Sequence, residues 1–243
     1  MKLPLICPDC ATNPVNIGRN MFTSVEVRDE NQYALTCPKG HQNVVILQQQ
    51  KFEILFEIGA HAIEDGYYRE AVSSFTASLE RFYEFFLRAA AIQNNVDRAV
   101  FQESWRHLKN QSERQLGAYV ATYTGIMRKA PTLLDSNRVG FRNNVTHKGY
   151  IPTRAEAVDY GQAVLDVLRP AMREMQAAMA DGVQRAVVEH VSTSAAALPD
   201  APKFATHGHM TVVCMASVPQ ADRPEKSLEE ALVAVRAWRT MTQ

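Results

Sequence analysis

The stretch Tyr67–Gln93, YYREAVSSFTASLERFYEFFLRAAAIQ, decides how this chain is read. Val72, Phe75, Leu79, Phe82, Tyr83, Phe86 and Ala90 recur at three- and four-residue intervals, so one broad apolar stripe runs along a helix of about seven turns. Just before it, Phe52, Leu55, Phe56, Gly59 and Ile63 repeat the same spacing from Gln48 onward. Gly66 closes that segment after a charged turn. Two long amphipathic helices joined by so short a link pack as an antiparallel hairpin.

Working outward, the helical pattern continues at about 97–109 and 113–129, until Pro131 interrupts it. A further helix is expected over about 135–148, with Asp135 or Ser136 capping its start and Gly149 stopping it. Thr153-Arg154-Ala155-Glu156 is a capping-box sequence directly after Pro152, and opens a helix carrying Val158, Val164, Leu165, Leu168, Met172 and Met175. Met172, Met175 and Met179 are core fillers. Pro170 removes a backbone donor inside that helix and is expected to kink it. The stretch Ser192–Pro202, rich in Ala, Ser and Pro, reads as a linker. Met210–Ser217 reads as a strand, and Ser227-Leu228-Glu229-Glu230 as a second capping box opening a helix to about Arg239.

The first 47 residues differ. Short β-rich runs at Met21–Val27, Tyr33–Thr36 and Val44–Leu47 surround Cys7-Pro8-Asp9-Cys10 and Cys37-Pro38-Lys39-Gly40-His41. Each pair forms a knuckle, and Gly40 permits the turn that brings His41 to the same ion as Cys37. The 26 residues between Cys10 and Cys37 leave room for a hairpin. Cys7, Cys10, Cys37 and His41 are therefore the expected ligands of a structural Zn2+, a closed site unsuited to catalysis. The expected organisation is mainly α: a zinc ribbon at 1–47, a helical bundle at 48–194, and a linker with a strand-helix extension at 195–243.

Composition narrows the function classes. With 26 acidic and 26 basic side chains among 243 residues, the surface as a whole is not a polyanion trap, and nucleic-acid contact must come from a local patch. No apolar run approaches the roughly 18–20 residues that span a bilayer, so no membrane partner is expected. The fourth cysteine, Cys214, stands alone. That usage fits a reducing, cytoplasmic setting rather than a disulfide framework.

The local patch lies between Asp135 and Glu156, where the charged residues are Arg138, Arg142, Lys148 and Arg154 and no acid intervenes. Arg142 offers a guanidinium fork that matches phosphate oxygens, His147 an imidazole that titrates near neutral pH, and Asn143 a neutral amide one turn from His147. Arg138, Lys148, Tyr150 and Arg154 are the expected substrate-binding neighbours. On a regular helix, five residues separate Arg142 from His147 by about 140°. They converge on one ligand only if the helix end is distorted or a second copy faces it.

The string Phe141-Arg142-Asn143-Asn144-Val145-Thr146-His147, set in a helical chain of this length, resembles the R-x4-6-H motif of the HEPN superfamily. The resemblance extends over roughly residues 48–190, including the early helices from Tyr67 to Phe82. It implies a homodimeric helical bundle with a composite cleft, cleaving RNA without metal to 2′,3′-cyclic phosphate and 5′-hydroxyl ends. By the same resemblance Arg142 stabilises the phosphate, His147 moves the proton and Asn143 orients the substrate, in a toxin or phage-defence setting with an antitoxin or defence-system partner. Some family toxins carry a tyrosine two positions after the histidine; here that position is Gly149. Two other readings stand beside it: a non-catalytic adaptor binding nucleic acid or a partner protein, and an enzyme acting on a phosphorylated small molecule.

Lesser candidates are Glu80 and Glu84, one turn apart, and His207-Gly208-His209 with Cys214. The first pair reads more readily as ion-pair partners of Arg81 and Arg88, and the second as an ordinary strand and turn. Trp105 and Trp238 read as packing residues.

Overall fold

The computed structural model describes residues 1–12, 21–198, 204–208, 211–215 and 225–242. In chain order its elements are β1 (Lys2–Ile6), α1 (Pro8–Ala11), β2 (Phe22–Glu26), β3 (Gln32–Thr36), β4 (Gln42–Leu47), α2 (Lys51–Glu64), α3 (Tyr68–Gln93), α4 (Arg98–Leu108), α5 (Ser112–Met127), α6 (Ser136–Lys148), α7 (Arg154–Ala178), α8 (Ala180–Ala196), β5 (Phe204–His207) and α9 (Leu228–Thr242). The fold is mainly α with small N-terminal strands, as the periodicities require. No helix among the described residues is long and apolar enough to cross a membrane.

The chain divides into two compact units. One comprises residues 1–49, 187–210 and 233–243; the other comprises 50–186 and 211–232.

The first unit is built from two antiparallel hairpins. β1 pairs with β2 and β3 with β4. β5 then adds to β4 in parallel, Val44 opposite Phe204 and Leu47 opposite His207, so the C-terminal strand completes the N-terminal sheet. Leu3 and Leu5 of β1 are fully buried. Trp238 meets the Phe22 ring edge-on at 6.0 Å.

In the second unit the α2–α3 hairpin forms as its stripes predict. Val72, Phe75, Leu79, Phe82, Tyr83, Phe86 and Ala90 are all buried. Gly66 makes the connecting turn in the left-handed region, at φ +79°. Phe52, Phe82, Phe86, Tyr119 and Tyr123 interlock in edge-to-face and tilted contacts, each ring worth about 1.5–3 kcal/mol by burial. Met172, Met175 and Met179 lie in the core.

Helix ends follow local chemistry. Asp97 and Asp135 cap α4 and α6 by accepting backbone N–H bonds. Thr153 with Glu156, and Ser227 with Glu230, form the capping boxes read from sequence. α5 stops at Arg128, at φ +56°, ahead of Pro131. Trp105 stacks on Phe101, one turn away on α4.

Two expectations are corrected. The described part of Met210–Ser217, Thr211–Met215, is no strand: the N–H groups of Val212 and Met215 are taken by the carboxylates of Glu57 and Glu53, and the strand lies earlier, at β5. Residues 209–210 and 216–217 lie outside the described residues. The expected linker at Ser192–Pro202 is helical as far as Ala196, because Ala-rich sequence favours helix and Gln32 Nε2 donates to the Ser194 carbonyl. Residues 199–202 lie outside the described residues. Pro170 lies inside α7, and a break follows at Met179, whose φ of −139° leaves the helical region.

Candidate functional site

Two groups of side chains have chemical potential. The first is the quartet at the N-terminus. Cys7 precedes the short α1, which carries Cys10 on its buried side. Cys37 and His41 flank a turn in which the Gly40 N–H donates to the Cys37 carbonyl at 2.8 Å and Gly40 adopts φ +84°. All four ligand atoms lie within 4.8 Å of one another. Cys10 Sγ is 3.9 Å from Cys37 Sγ and 3.4 Å from His41 Nδ1, and Cys7 Sγ is 3.7 Å from that nitrogen. A tetrahedral ion with metal–sulfur bonds of ~2.3 Å and a metal–nitrogen bond of ~2.0 Å needs edges of about 3.8 Å and 3.5 Å. The quartet therefore has the dimensions of a four-ligand metal cage, with His41 presenting Nδ1.

Without an ion, the buried thiols differ in acidity. Burial, aided by the neighbouring thiols Cys7 and Cys37, pushes the Cys10 thiol up to about 11. Burial also acts on Cys37, but hydrogen bonds from the Lys39 and His41 backbone outweigh it and bring that thiol down to about 7. Asn43, not singled out from sequence, donates from Nδ2 to Cys7 Sγ at 3.5 Å and to Asp9 Oδ2 at 3.1 Å. Its place two residues after a knuckle histidine was the available signal.

The second group is on α6. The helix is regular from Ser136 through Lys148, where Gly149 ends it in the left-handed region and donates to the Asn144 carbonyl. No distortion turns Arg142 toward His147. Arg142 is half-buried on the side facing α3 and α7, while His147 and Lys148 are exposed in the last turn, and Asn143 is half-buried between those faces. The charge of Arg142 acts on two tyrosines. Tyr83 of α3 is raised by burial, then by Tyr160 and Glu80, against an opposing pull from Arg142. Tyr160 of α7 is raised by burial, opposed by its hydrogen bond to Thr76 and by Arg142. The sequence marked Tyr83 only as a core residue and did not mark Tyr160.

The neighbouring cations divide sharply. Arg138 forms a two-pronged pair with Asp159, and Arg154 does the same with Glu229 at 2.7 and 3.0 Å. These acids come from outside the 135–156 stretch, so the apparent all-basic patch is half neutralised in three dimensions. Arg142 has neither ion pair nor hydrogen bond among the described residues, and Lys148 is likewise unpaired. Tyr150 donates its hydroxyl to Glu156 Oε1 at 2.8 Å.

Of the lesser candidates, Glu84 pairs with Arg81. Arg88 donates to the Ala186 carbonyl, and Glu80 faces the Tyr83–Tyr160 pair. His209 lies outside the described residues. Among the described residues the N-terminal quartet is the metal-ligand cluster found.

Compared with protein-family models, with curated proteins and with solved structures, the chain matches none.

Proposed function

We propose that this chain is a metal-independent endoribonuclease of HEPN type, stapled at its N-terminus by a structural zinc ion held by Cys7, Cys10, Cys37 and His41. The observation that carries the activity is the state of Arg142. Arg142 is a half-buried residue with no carboxylate partner among the described residues, in a stretch where Arg138 and Arg154 each have one. A guanidinium without an ion pair keeps its N–H fork available to the non-bridging oxygens of an incoming phosphate, through paired N–H···O bonds.

The reaction follows from the groups available. Arg142 binds the non-bridging oxygens of the scissile phosphate. An imidazole accepts the proton of the ribose 2′-hydroxyl while its oxygen attacks phosphorus. The bond from phosphorus to the 5′-oxygen breaks, and that oxygen takes up a proton, leaving a 2′,3′-cyclic phosphate and a 5′-hydroxyl. Two proton carriers serve this sequence best. Because α6 is regular, Arg142 and His147 of one chain point about 140° apart, and a homodimer placing two α6 helices across a cleft supplies one motif's arginine beside the other's histidine. Zinc supplies folding free energy to the ribbon and takes no part in the reaction.

The test is cleavage of mixed cellular RNA by purified protein in excess EDTA, with folding followed in the same sample by circular dichroism. Wild type is expected to yield cyclic-phosphate ends, and Arg142→Ala and His147→Ala to yield none. Equal cutting by His147→Ala, or no cutting by folded wild type, overturns the reading and favours the adaptor.

A further inference from the structure

The surface of α6 that carries His147 also carries a cleft. Its lining includes Asn137, Gly140, Phe141, Asn144, Tyr150 and Glu156, around an open volume of about 440 Å³. Along the helix, Asn137, Gly140, Asn144, His147 and Lys148 follow at intervals of three, four, three and one, which places them on one stripe leading from the cleft to the exposed end of α6. Arg142 lies off this stripe.

Four features define what such a cleft accepts. First, the side-chain amides of Asn137 and Asn144 make no hydrogen bond with any described residue, so donors and acceptors stand unused. Second, Tyr150 is 44% exposed yet immobilised: its hydroxyl is held by Glu156, and its ring meets Phe141 edge-to-face at 6.2 Å, leaving an aromatic face open.

Third, Gly140 lines the cleft without a side chain, and a Cβ built there meets nothing within 4 Å. Fourth, the carboxylates near the cleft are committed: Asp135 to the N–H groups of Asn137 and Arg138, Asp159 to Arg138, and Glu156 to Thr153 and Tyr150. Asp159 is balanced by Arg138, which leaves the charges of Glu156 in the lining and Asp135 nearby to disfavour a phosphate in the cleft, whereas the unpaired Lys148 at the far end of the stripe attracts one. A ligand lying along this stripe therefore has its neutral, flat, hydrogen-bonding part in the cleft and its anionic part at Lys148.

We infer that the cleft is a base-recognition subsite for single-stranded RNA, in which Tyr150 stacks an unpaired base, Asn144 reads an adenine edge, and the attached phosphate lies on Lys148 beside His147. The inference deepens the ribonuclease reading and rests on it. A carboxamide complements the adenine N6 donor and N7 acceptor in a bidentate pair, and a fixed aromatic ring supplies stacking without sequence preference. The helical rise of ~1.5 Å per residue puts Asn144 and Lys148 about 6 Å apart along the axis, close to the span from a base edge region to its own phosphate.

The test uses decamers of 2′-O-methyl uridine, which cannot undergo 2′-hydroxyl attack, with and without one central adenosine analogue. Their binding is measured by fluorescence anisotropy. Wild type is expected to bind the adenine-containing decamer about tenfold tighter, the discrimination typical of one bidentate amide contact. Asn144→Ala is expected to lose that preference while still binding both. Gly140→Leu puts a bulky side chain into the cleft from a Cβ position with no atom within 4 Å; it is expected to abolish the preference at unchanged helical content and unchanged mass by light scattering.

An adenine preference retained in both variants, or absent from wild type, overturns the subsite. Cleavage of natural RNA with no base preference removes the subsite and leaves the ribonuclease reading standing. Failure of wild type to bind or cut RNA removes both.

Discussion

Glu53 Oε1 accepts the backbone N–H of Met215 at 2.8 Å, while its other oxygen accepts the N–H of Gln50 at the start of the same helix. One turn later Glu57 accepts the N–H of Val212 at 3.0 Å. Two buried carboxylates on α2 thus hold an irregular segment that would otherwise bury unsatisfied donors. This is why α2 is buried on more of its circumference than its apolar stripe accounts for.

Burial pushes the Glu53 carboxyl up from its ordinary 4.5 to about 7, outweighing the two N–H bonds that favour the anion. The folded chain therefore keeps a proton that the unfolded chain releases between these values. Stability is expected to fall as pH rises from about 4.5 to about 7 and to level off above, by an amount on the order of 3 kcal/mol. Glu53→Gln stays uncharged throughout, so its melting temperature is expected to vary much less between pH 5 and pH 8. Identical pH slopes for the two proteins would refute this.

Removal of metal is expected to unfold the N-terminal unit. Trp238 packs on Phe22 within that unit and Trp105 lies in the other, so a Trp105→Phe background isolates the signal of Trp238. Chelation, or Cys10→Ser, is expected to shift its emission, and elemental analysis is expected to find one zinc per chain before treatment and none after. Asn43→Ala removes an N–H···S bond to a ligand and is expected to weaken zinc affinity about 10–100-fold, measured by competition with a chromogenic chelator.

The paired and unpaired cations of α6 and α7 give different salt dependences. Lys148→Ala is expected to reduce the slope of log affinity for RNA against log salt by about one. Arg154→Ala and Arg138→Ala, whose charges are already matched by Glu229 and Asp159, are expected to leave the slope within error of wild type. An equal loss of slope in all three variants would show the ion pairs opening on binding.

Helix packing sets a contrast between two glycines. A Cβ at Gly182 would stand 2.4 Å from the Ala89 carbonyl oxygen, backbone that cannot turn aside. Gly182→Ala is expected to lower unfolding free energy by several kcal/mol, since α8 must move off α3. A Cβ at Gly117 meets nothing within 4 Å, so Gly117→Ala on the exposed side of α5 is expected to raise stability by about 1 kcal/mol. Urea denaturation of the two variants checks both signs.

The sequence by itself determined what depends on neighbours a few residues away. The stripes of α2 and α3, the caps at Asp135, Thr153 and Ser227, and the Cys-Cys and Cys-His knuckles are local patterns, each read from side-chain spacing and turn chemistry. Tertiary structure decided what depends on partners brought from afar. It gave Arg138 and Arg154 their acids, at Asp159 and Glu229, and left Arg142 without one, although all three arginines look alike in a stretch lacking acids. It placed β5 rather than residues 211–215 beside β4, because those residues' N–H groups met Glu53 and Glu57 instead of another strand. Hydrogen-bonding capacity and charge are written in the chain; which group satisfies them is a property of packing, where a carboxylate 75 residues away, as Glu229 is from Arg154, competes on equal terms with one a turn away.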